Sequence, residues 1–387
     1  MVTYPEDWKE FRFKDTGIEV SKGQVITRAD VRIGEIPVVA GGMEPAYYCD
    51  KYNRDGFTVT ISASGANAGY VNLYKGKIFA SDCSTISEAP NYDVRYIYYL
   101  LLNKQNEIYD AQTGGAQPHI HPKDIYKLPI VYTSNISEQQ AIASVISDFD
   151  EHIDNLTELI EKKKAIRDGA LEDLVSGRTR LDGFNGEWKT VSFNQVIKPK
   201  ARIGWQGLKK DEYLRSGYSY LIGGTDFHNG TVNLDNISYI SKERYDMDSN
   251  IQVESNNVLV TKDGTIGKVA LVPKLDRPAT LNSGVFVFRT TSSLLSNFLY
   301  RVLLSSIFRE FINTLSAGST IKHLYQKDLS NFEFKIPQDS QEQEAIALIL
   351  TAMDEEIEFL ETEKEKMIQI KEGAMDDLLT GRVRLKV

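Results

Sequence analysis

The sequence predicts an α+β chain with an internal pseudo-repeat, in which two mixed domains are separated by a pair of long antiparallel coiled-coil helices. Two related stretches recur at an offset of 204 residues, and each has the apolar pattern of a long helix. The segments ahead of them contain short strand-like runs bounded by Gly, Asn and Asp, such as residues 57–61 and 284–288, and each has one apolar helical stretch, near 94–102 and near 294–312. We therefore divide the chain into mixed domains at 1–137 and 182–341 and helical segments at 138–181 and 342–387.

Length and composition set the broad class of the protein. With 387 residues, 41% apolar and 10% aromatic, the chain has material for two or three packed domains and is not disordered. No apolar run reaches the roughly 18 residues that a membrane span needs, and the start lacks the apolar run of a signal peptide. Cys49 and Cys83 are too few for a disulfide framework. We expect a soluble cytoplasmic protein without membrane association.

The internal repeat is clearest in the helical segments. Residues 138–181 align without a gap to residues 342–385, and 20 of the 44 aligned pairs are identical. A shorter match opens each half of the chain, where Trp8 corresponds to Trp188. The mixed segments between these anchors show no detectable similarity. This pattern predicts one architecture used twice with different domains inserted.

Each helical segment carries apolar residues at alternating spacings of three and four, the seam of a coiled coil. A helix packed only on its own domain's core is the alternative, but a repeated stripe 39 residues long favours a helix–helix spacer. The predicted seam residues are Ile146, Phe149, Ile153, Leu156, Ile160, Leu350, Met353, Ile357, Leu360 and Met367.

The ends of these helices also have sequence signals. Ser137 and Ser340 are each followed three residues later by Gln, which is the spacing of a capping box. Gly177 and Gly381 are placed to end the helices in the left-handed conformation. Helices of 39 residues would be roughly 58 Å long at ~1.5 Å per residue.

The formal net charge of −9 is unevenly distributed. Residues 138–181 hold ten acids and six bases, and residues 342–387 hold twelve acids and six bases. The rest of the chain is close to neutral. The acidity therefore belongs to solvated helix faces, and the mixed domains remain compatible with a nucleic-acid partner.

Motifs for catalysis and metal binding are absent or incomplete. Residues 262–268 resemble a phosphate-binding loop but have Val269 where a Ser or Thr would hold magnesium. His119 and His121 lack further ligands at metal-site spacing, so a loop with two histidines is the simpler interpretation. The sequence predicts no catalytic residues and no metal site.

Glycine-rich loops with hydroxyls, aromatic rings and isolated bases are the remaining functional candidates, since such groups contact base edges and phosphates. Plain tight turns are the alternative for any single loop, but two sets of three loops favour recognition. The two sets are residues 41–48, 62–70 and 114–121, and residues 223–226, 261–268 and 316–323. The DNA-binding candidates are Gly41, Gly42, Tyr47, Tyr48, Ser62, Ser64, Asn67, Tyr70, Gly115, Gln117, His119, Gly224, Thr225, Asp226, Thr261, Lys262, Asp263, Thr265, Lys268, Ser319, Thr320, Lys322 and His323.

These features resemble the specificity subunit of Type I restriction–modification systems over essentially the whole chain. The most specific elements are EQQAIA and EQEAIA, which open the helical segments, and GRTRL and GRVRL, which end them. Residues 36–42, 56–61 and 261–268 look like parts of that family's target-recognition domains. Pro118 departs from the family, in which a polar residue is common at this place.

The resemblance implies a non-catalytic subunit that binds double-stranded DNA at a bipartite, asymmetric site. It implies assembly with two methyltransferase subunits and with restriction subunits. Adenine N6 methylation with S-adenosylmethionine, and translocation and cleavage with ATP and Mg, would belong to those partners, with no cofactor on this chain. The main rival is a non-DNA scaffold, with two domains on a coiled-coil rod that recruits other proteins.

Overall fold

The computed structural model describes residues 8–27, 29, 32–202, 207–316 and 323–386. The chain forms two compact units. Unit 1 combines Met1–Glu158 with Leu360–Val387, and unit 2 is Leu159–Phe359. The division passes through both long helices, so each unit contains one half of each helix. This differs from the division along the sequence, because the helix ends pack into the cores of the mixed domains.

The first mixed segment contains three sheets and is followed by the first long helix. β1 pairs antiparallel with β9, a second sheet has the order β2-β8-β5-β6, and a third has the order β4-β3-β7 with β3 and β7 parallel. The elements are β1 (Lys9–Arg12), β2 (Ser21–Lys22), β3 (Ile36–Val39), β4 (Tyr47–Cys49), β5 (Phe57–Ser62), β6 (Val71–Lys75), β7 (Phe79–Ala80), β8 (Cys83–Ser87), α1 (Val94–Leu102), α2 (Gln105–Asp110), α3 (Pro122–Ile125), β9 (Pro129–Tyr132) and α4 (Ile136–Ser176).

The second mixed segment follows the same plan with additional strands, and the second long helix comes after it. The sheets are β10-β21, β11-β20-β17-β18-β14-β13 and β15-β12-β19-β16. The elements are β10 (Trp188–Ser192), α5 (Phe193–Val196), β11 (Ile197–Ala201), β12 (Ser219–Ile222), β13 (Phe227–His228), β14 (Thr231–Val232), β15 (Ser238–Ile240), α6 (Lys242–Asp246), β16 (Gln252–Val253), β17 (Val258–Thr261), β18 (Val269–Leu271), β19 (Ala279–Leu281), β20 (Val285–Thr290), α7 (Ser296–Leu304), α8 (Ser306–Ser316), α9 (Gln326–Leu329), β21 (Glu333–Pro337) and α10 (Ser340–Leu378).

The two mixed segments share a topology that their sequences do not show. In each, the first strand pairs antiparallel with the last one, as β1 does with β9 and β10 with β21. Each also has a parallel strand pair, β3 with β7 and β12 with β19, and an apolar helix after its sheets. The internal repeat therefore extends through the domains that the sequence analysis classed as unrelated.

Most of the predicted elements are present. Strands β5 and β20 form at the runs predicted from residues 57–61 and 284–288, and α1 has the predicted bounds of Val94–Leu102. The single helical stretch expected over 294–312 is instead two helices. Ser305 interrupts it, because its hydroxyl donates to the carbonyl of Val302 at 2.7 Å and accepts from the N–H of Ile307 at 3.3 Å.

The long helices begin earlier than predicted. Asn135 and Asp339 act as N-caps, because the side-chain oxygen of each accepts a backbone N–H of the first turn, at 3.3 and 2.9 Å. The capping boxes predicted from Ser137 and Ser340 are therefore wrong, since both residues lie inside the helices. Gly177 directly follows the end of α4, as predicted, whereas Gly381 lies three residues after α10 ends at Leu378; both glycines are left-handed, with φ of +73° and +70°.

The predicted seam residues lie on the covered side of the helices. Leu156 and Leu360 are 6% and 9% exposed. The ends of the seam pack into domain cores: Ile146 lies in the core of unit 1 with Met375, and Leu350 lies in the core of unit 2. Both interpretations of the stripe thus apply, each to a different part of the helices. The other seam residues are buried or half-buried: Phe149, Ile153, Ile160, Met353, Ile357 and Met367.

Candidate nucleic-acid interface

Three predicted loops of unit 1 meet in one place, which we call loop cluster 1 (residues 41–48, 62–70 and 114–121). The N–H of Gly65 donates to the carbonyl of Pro118 at 3.1 Å, and the N–H of Ile120 donates to the carbonyl of Ala63 at 2.9 Å. The remaining loop is joined through the hydroxyl of Ser62, which is 3.3 Å from the carbonyl of Gly42. Loops separated by up to 80 positions along the chain therefore form a single surface.

The close approach of these loops explains two of their glycines. A Cβ on Gly41 would lie 2.5 Å from the carbonyl oxygen of Ser64, which is closer than real contacts allow. Gly114 has φ of +96°, a conformation that other residues rarely adopt. These glycines are needed to assemble the loop cluster, whatever they contact outside it.

The exposed groups of loop cluster 1 are mostly uncharged. Tyr48 is 57% exposed and Met43 is 48% exposed, and the side chain of Gln117 is also on the surface. Tyr47 is half-buried, with its hydroxyl 3.3 Å from the carbonyl of Ile26. The remaining candidates are half-buried or exposed in the same loops: Gly42, Ser64, Asn67, Tyr70, Gly115 and His119.

Loop cluster 2 has the same construction in unit 2 (residues 223–226, 261–268 and His323). The N–H of Leu324 donates to the carbonyl of Lys262 at 2.8 Å, as Ile120 does to Ala63 in unit 1. A Cβ on Gly224 would lie 2.7 Å from the methyl group of Thr261, which brings the first loop against the second. Ser319, Thr320 and Lys322 lie outside the described residues.

Ser62 and Thr261 occupy equivalent places and have structural roles. They are 4% and 2% exposed. Each hydroxyl is bonded within its own loop cluster, that of Thr261 to the carbonyl of Thr265 and to the N–H of Lys268, the latter at 2.9 Å. We therefore correct the prediction for these two side chains: because their hydroxyls are buried and already bonded, they brace the loops and do not face a ligand.

Charged groups distinguish loop cluster 2 from loop cluster 1. Asp263 and His323 are joined side chain to side chain at 2.6 Å, across the second and third loops. The Lys268 ammonium donates to the carbonyl of Phe227, while the Lys262 ammonium lies 5.8 Å from the centre of the Phe286 ring. Lys262 is half-buried and Lys268 is exposed.

Asp226 closes the first loop of this cluster. Its carboxylate accepts the N–H of Gly223 at 2.7 Å, and burial raises its pKa above the ordinary value for Asp. Its neighbour Thr225 is exposed. The Thr225 hydroxyl also hydrogen-bonds the Asp226 carboxylate, so Asp226 is engaged in the turn while Thr225 remains on the surface of the loop.

The loop clusters stand on a repeated frame that crosses between the two sequence copies. In unit 2 the Arg180 guanidinium contacts the Glu342 carboxylate at 2.6 Å, and in unit 1 Arg384 binds Glu138. Each Glu opens one copy of the helical segment and each Arg ends the other copy. The Glu carboxylates are almost fully buried, with 0% and 1% exposure.

Two tryptophans complete these junctions. A Cβ on Gly381 would lie 2.7 Å from the ring of Trp8, and one on Gly177 would lie 3.2 Å from the ring of Trp188. The left-handed glycines thus serve two purposes, because they turn the chain after the helices and leave room for the rings. The repeated Trp and Gly of the sequence are partners in the structure.

A glutamine next to each buried Glu ties the long helix to its mixed domain. Gln139 accepts the N–H of Asp93, the N-cap of α1, at 2.8 Å, and Gln343 accepts the N–H of Leu295, which precedes α7, at 2.8 Å. Both also donate to the carbonyl at the end of the last strand segment, at 2.7 Å for Thr133. The long helices are therefore fixed to the domains that carry the loop clusters.

A second repeated ion pair shows that the helix halves run antiparallel in both units. In unit 1 Asp150 binds Lys371, while Glu138, earlier in α4, binds Arg384, which follows α10. In unit 2 the corresponding pair is Asp354 with Arg167. Positions that advance along one helix pair with positions that recede along the other, which confirms the predicted antiparallel arrangement within each unit.

Comparison with known proteins identifies the architecture. The family described as Type I restriction modification DNA specificity domain matches residues 5–165 and 185–369. The chain belongs to this family. It is a specificity subunit of the type I restriction–modification class with two DNA specificity domains, one for each mixed segment.

Relatives of this specificity subunit match along its full length. The type I restriction enzyme MjaVIII specificity subunit of Methanocaldococcus jannaschii is 25% identical over 435 residues, which cover 100% of this chain and 99% of the relative. The crystal structure of a type I S subunit from M. genitalium matches with a TM-score of 0.65 at 20% identity and covers 98% of both chains. A chain from a study of complex assembly and conformational transition in the type I R-M system matches with a TM-score of 0.59 at 12% identity, covering 99% of this chain and 100% of that one.

The described part of the specificity subunit contains neither a metal-binding cluster nor a membrane-spanning helix. Within the ranges that the structure describes, no group of three or more His, Cys, Asp or Glu side chains is placed to hold a metal ion. His119 and His121 stack with ring centres 6.2 Å apart, and among the described residues no third metal-ligating side chain is grouped with them. Among the described helices, none is long and apolar enough to cross a membrane.

Sequence reasoning missed the residues that hold the specificity subunit's frame. Glu138, Gln139 and Arg384 were noted as identities of the repeat but were given no role. Recurrence at the offset of 204 was their only signal, and it did not single them out, because exposed residues such as Glu161 and Glu365 recur at the same offset. The crossed pairing could not be derived, because the offset alone does not say which copy contacts which.

Proposed function

We propose that this specificity subunit recognises a bipartite, asymmetric DNA site, with one half contacted by each loop cluster. The observation that carries the proposal is the pair of loop clusters, which stand on the same frame but present different side chains. An equal frame with equal side chains would suit a palindromic site. An equal frame with different side chains suits two unrelated half-sites.

The chemical difference between the clusters supports separate sequence preferences. Loop cluster 1 presents Tyr48 and Gln117, an aromatic ring and an amide that both donates and accepts hydrogen bonds. Loop cluster 2 presents Thr225, Lys262 and the linked Asp263. Because base pairs differ in the donors and acceptors that they expose in the major groove, these two sets favour different bases.

The long helices are suited to fix the distance between the half-sites. α4 has 41 residues and α10 has 39, so each is about 60 Å long at ~1.5 Å per residue. At about 3.4 Å per base pair this length corresponds to roughly 17 base pairs. The buried ion pairs at the helix ends would hold the register on which a defined spacing depends.

The catalytic steps would belong to partner subunits. We propose assembly with two methyltransferase subunits, which would methylate adenine N6 with S-adenosylmethionine, and with restriction subunits, which would use ATP and Mg. Relatives along the full length are named as specificity subunits of type I restriction enzymes, and one matched structure addresses assembly of such a system. This chain would supply recognition and no catalytic group.

A domain exchange tests the proposal. The protein is produced with its methyltransferase partner, and methylated adenines are mapped by single-molecule sequencing of the host DNA. Residues 1–137 are then replaced by the corresponding segment of a relative. We expect one half of the methylated motif to change and the other to persist.

The reciprocal exchange of residues 182–341 is the matched control and should change only the other half. A motif altered in both halves by either exchange would contradict separate recognition. If the wild-type complex showed no salt-dependent DNA binding and left no methylated motif, the alternative of a protein scaffold would be favoured.

A further inference from the structure

The two loop clusters differ in how much positive charge they carry. The loops of cluster 2 include Lys262 and Lys268, and Lys322 follows in the same sequence segment. Residues 41–48, 62–70 and 114–121 contain no Lys or Arg at all. DNA binding requires positive charge that neutralises the backbone phosphates. In unit 1, basic residues outside loop cluster 1 must therefore supply it.

A basic pocket in unit 1 is lined partly by the segment that directly follows loop cluster 1 in the chain, at Lys123, Tyr126 and Lys127. It has a volume of about 490 Å³. Four of its lining side chains are basic and one is acidic, in a segment that holds 14 bases and 16 acids over residues 1–137. The basic residues are Arg12, Lys14, Lys123 and Lys127, and the acid is Glu19. Positive charge is therefore concentrated here against the average of the segment.

The walls of the basic pocket are held by backbone hydrogen bonds. The N–H of Lys14 donates to the carbonyl of Tyr126 at 3.1 Å, and the N–H of Phe13 donates to the carbonyl of Leu128 at 2.9 Å. The hydroxyl of Tyr126 accepts the N–H of Val20 at 2.9 Å. The two segments that carry the bases are thus fixed to each other before any ligand binds.

The bases of the pocket are exposed and mostly uncompensated. Across the described part of the chain, no ion pair joins Arg12, Lys14 or Lys123 to a carboxylate, whereas Lys127 contacts Asp124 at 3.3 Å. Other bases of unit 1 are engaged: Arg95 pairs with Asp93 at 3.1 Å. The pocket is therefore a preformed site for an anion.

We propose that the basic pocket binds the phosphate backbone of DNA next to the half-site contacted by loop cluster 1. The proposal rests on the proposed function and names the group that supplies its missing charge. Lys123 follows His121, the last residue of loop cluster 1, by two positions. Two residues of chain span at most about 7 Å. If a nucleotide contacts this loop, the DNA phosphates next to it are therefore within reach of the Lys123 side chain.

The basic residues of the pocket are mostly not repeated in unit 2. At the repeat offsets, Arg12, Lys14 and Lys127 correspond to Ser192, Asn194 and Asn331 in unit 2, and only Lys123 has a basic counterpart, Lys327. Unit 2 holds its bases within the loops, and unit 1 holds them in the basic pocket. The DNA phosphates at the two half-sites are therefore contacted from different places in the two units.

The test is the salt dependence of DNA binding by the complex with methyltransferase subunits. Duplexes carrying the mapped site or a scrambled site are titrated by fluorescence anisotropy over a range of salt concentrations. The variant is Lys14→Gln with Lys123→Gln. The control is Lys75→Gln with Lys104→Gln, which removes the same charge from bases of unit 1 outside the pocket.

We expect the pocket variant to bind both duplexes more weakly by a similar factor and to lower the slope of log affinity against log salt by about two units. Its methylation motif should be unchanged. Affinity and slope equal to those of the control would overturn the proposal, as would a loss confined to the mapped site. Loss of the methyltransferase subunit on co-purification would show protein docking instead, and it too would overturn the proposal.

The proposed function fails separately from this proposal. It fails if the wild-type complex does not discriminate the mapped site from the scrambled one. A wild-type complex that discriminates, with a pocket variant that behaves like its control, would refute the phosphate site alone.

Discussion

The guanidinium of Arg384 binds the buried carboxylate of Glu138, a residue 246 positions earlier, and thereby joins the end of the second sequence copy to the beginning of the first. Arg180 and Glu342 make the same contact in the opposite sense. Each unit is thus closed by one Glu from one copy and one Arg from the other. We call each of these two Glu–Arg ion pairs a clasp. The internal repeat thus provides one clasp in each unit.

The first prediction concerns this clasp. Arg384→Ala should lower the free energy of unfolding of unit 1 by on the order of 3 kcal/mol, because it leaves the Glu138 carboxylate buried without a counterion. Adding Glu138→Gln should recover part of the loss, since the amide carries no charge. Urea denaturation followed by hydrogen exchange of unit 1 peptides would measure both effects.

Arg382 provides a matched control two residues away. It is an exposed arginine that pairs with Asp377 at 3.0 Å on the surface, so Arg382→Ala should cost less than about 1 kcal/mol. Equal losses for Arg382→Ala and Arg384→Ala would show that the clasp has no special role.

The second prediction concerns the helix seam. Leu156→Asp should strongly destabilise the protein and abolish recruitment of the methyltransferase subunit, because a charge would be placed at a position that is 6% exposed. Leu159→Asp introduces the same charge three residues later at a position that is 38% exposed and should have little effect. Thermal unfolding and co-purification with the partner provide the measurements. A Leu156→Asp variant that assembles normally would contradict the seam.

Sequence patterns predicted the regular elements and the long helices well, because period and burial are locally encoded. The bounds of α1, the end of α4 at Gly177 and the left-handed conformation of Gly381 followed from apolar spacing and from the need for a left-handed residue. The predicted start of α4 was wrong, because Asn135 and Ser137 are both residue types that cap helices and only the backbone decides between them.

The sequence predicted which three loops belong together in each half of the chain, but it did not predict the contacts between them. The bonds from Gly65 to Pro118 and from Leu324 to Lys262 join segments far apart in the sequence, which no local pattern specifies. For the same reason, the shared topology of the two mixed segments was hidden: hydrogen-bond registers repeat while side chains change. The basic pocket was missed because its bases come from two separated segments.

The third prediction concerns the thiol of Cys83. Burial raises its pKa to about 12, so at pH 8 only about one thiol in ten thousand is ionised and reactive. In a Cys49→Ser variant, alkylation by iodoacetamide should be very slow at pH 8 and should become rapid in urea, where the pKa returns to about 8.5. Mass spectrometry measures the modified fraction.

The sign of the associated stability effect follows from the same pKa. Since the folded-state value is raised, the contribution of Cys83 to stability is complete below pH of about 8.5 and declines as the pH rises toward 12. Rapid alkylation of the folded variant at pH 8 would contradict the buried, neutral thiol.

The fourth prediction concerns the helices as a ruler. Inserting seven residues after Leu156 and another seven after Leu360, which are equivalent positions of the repeat, keeps the heptad seam in register in both helices. At ~1.5 Å per residue the helices lengthen by about 10 Å, so the unspecified gap between half-sites should grow by about three base pairs while both half-sites persist. Mapping of methylated adenines would show the new spacing.

Insertion into one helix alone is the control. It displaces pairs such as Asp150 with Lys371 and should reduce assembly without giving a defined new gap. A gap that stays the same in the double insertion, with assembly intact, would exclude the helices as the determinant of spacing.

The last prediction concerns the lysines of loop cluster 2. Lys262 and Lys268 lie on either side of the turn at Gly264, whose φ is +69°; Lys262 is half-buried and Lys268 is exposed. Such bases position DNA through its phosphates and do not select bases. Lys262→Ala and Lys268→Ala should each weaken binding by a similar factor for the mapped and the scrambled duplex, and each should lower the salt slope by about one unit.

The two lysines are distinguished by their contacts within the protein. The Lys268 ammonium donates to the carbonyl of Phe227, so Lys268→Ala also frees a backbone acceptor of β13, whereas the Lys262 ammonium faces the Phe286 ring. Thermal stability should therefore fall more in Lys268→Ala than in Lys262→Ala, while the change in salt slope should be the same in both. Wild-type affinity and slope in both variants would reduce the loop to a plain hairpin turn. A loss restricted to the mapped duplex would instead make the substituted lysine a contact to a base.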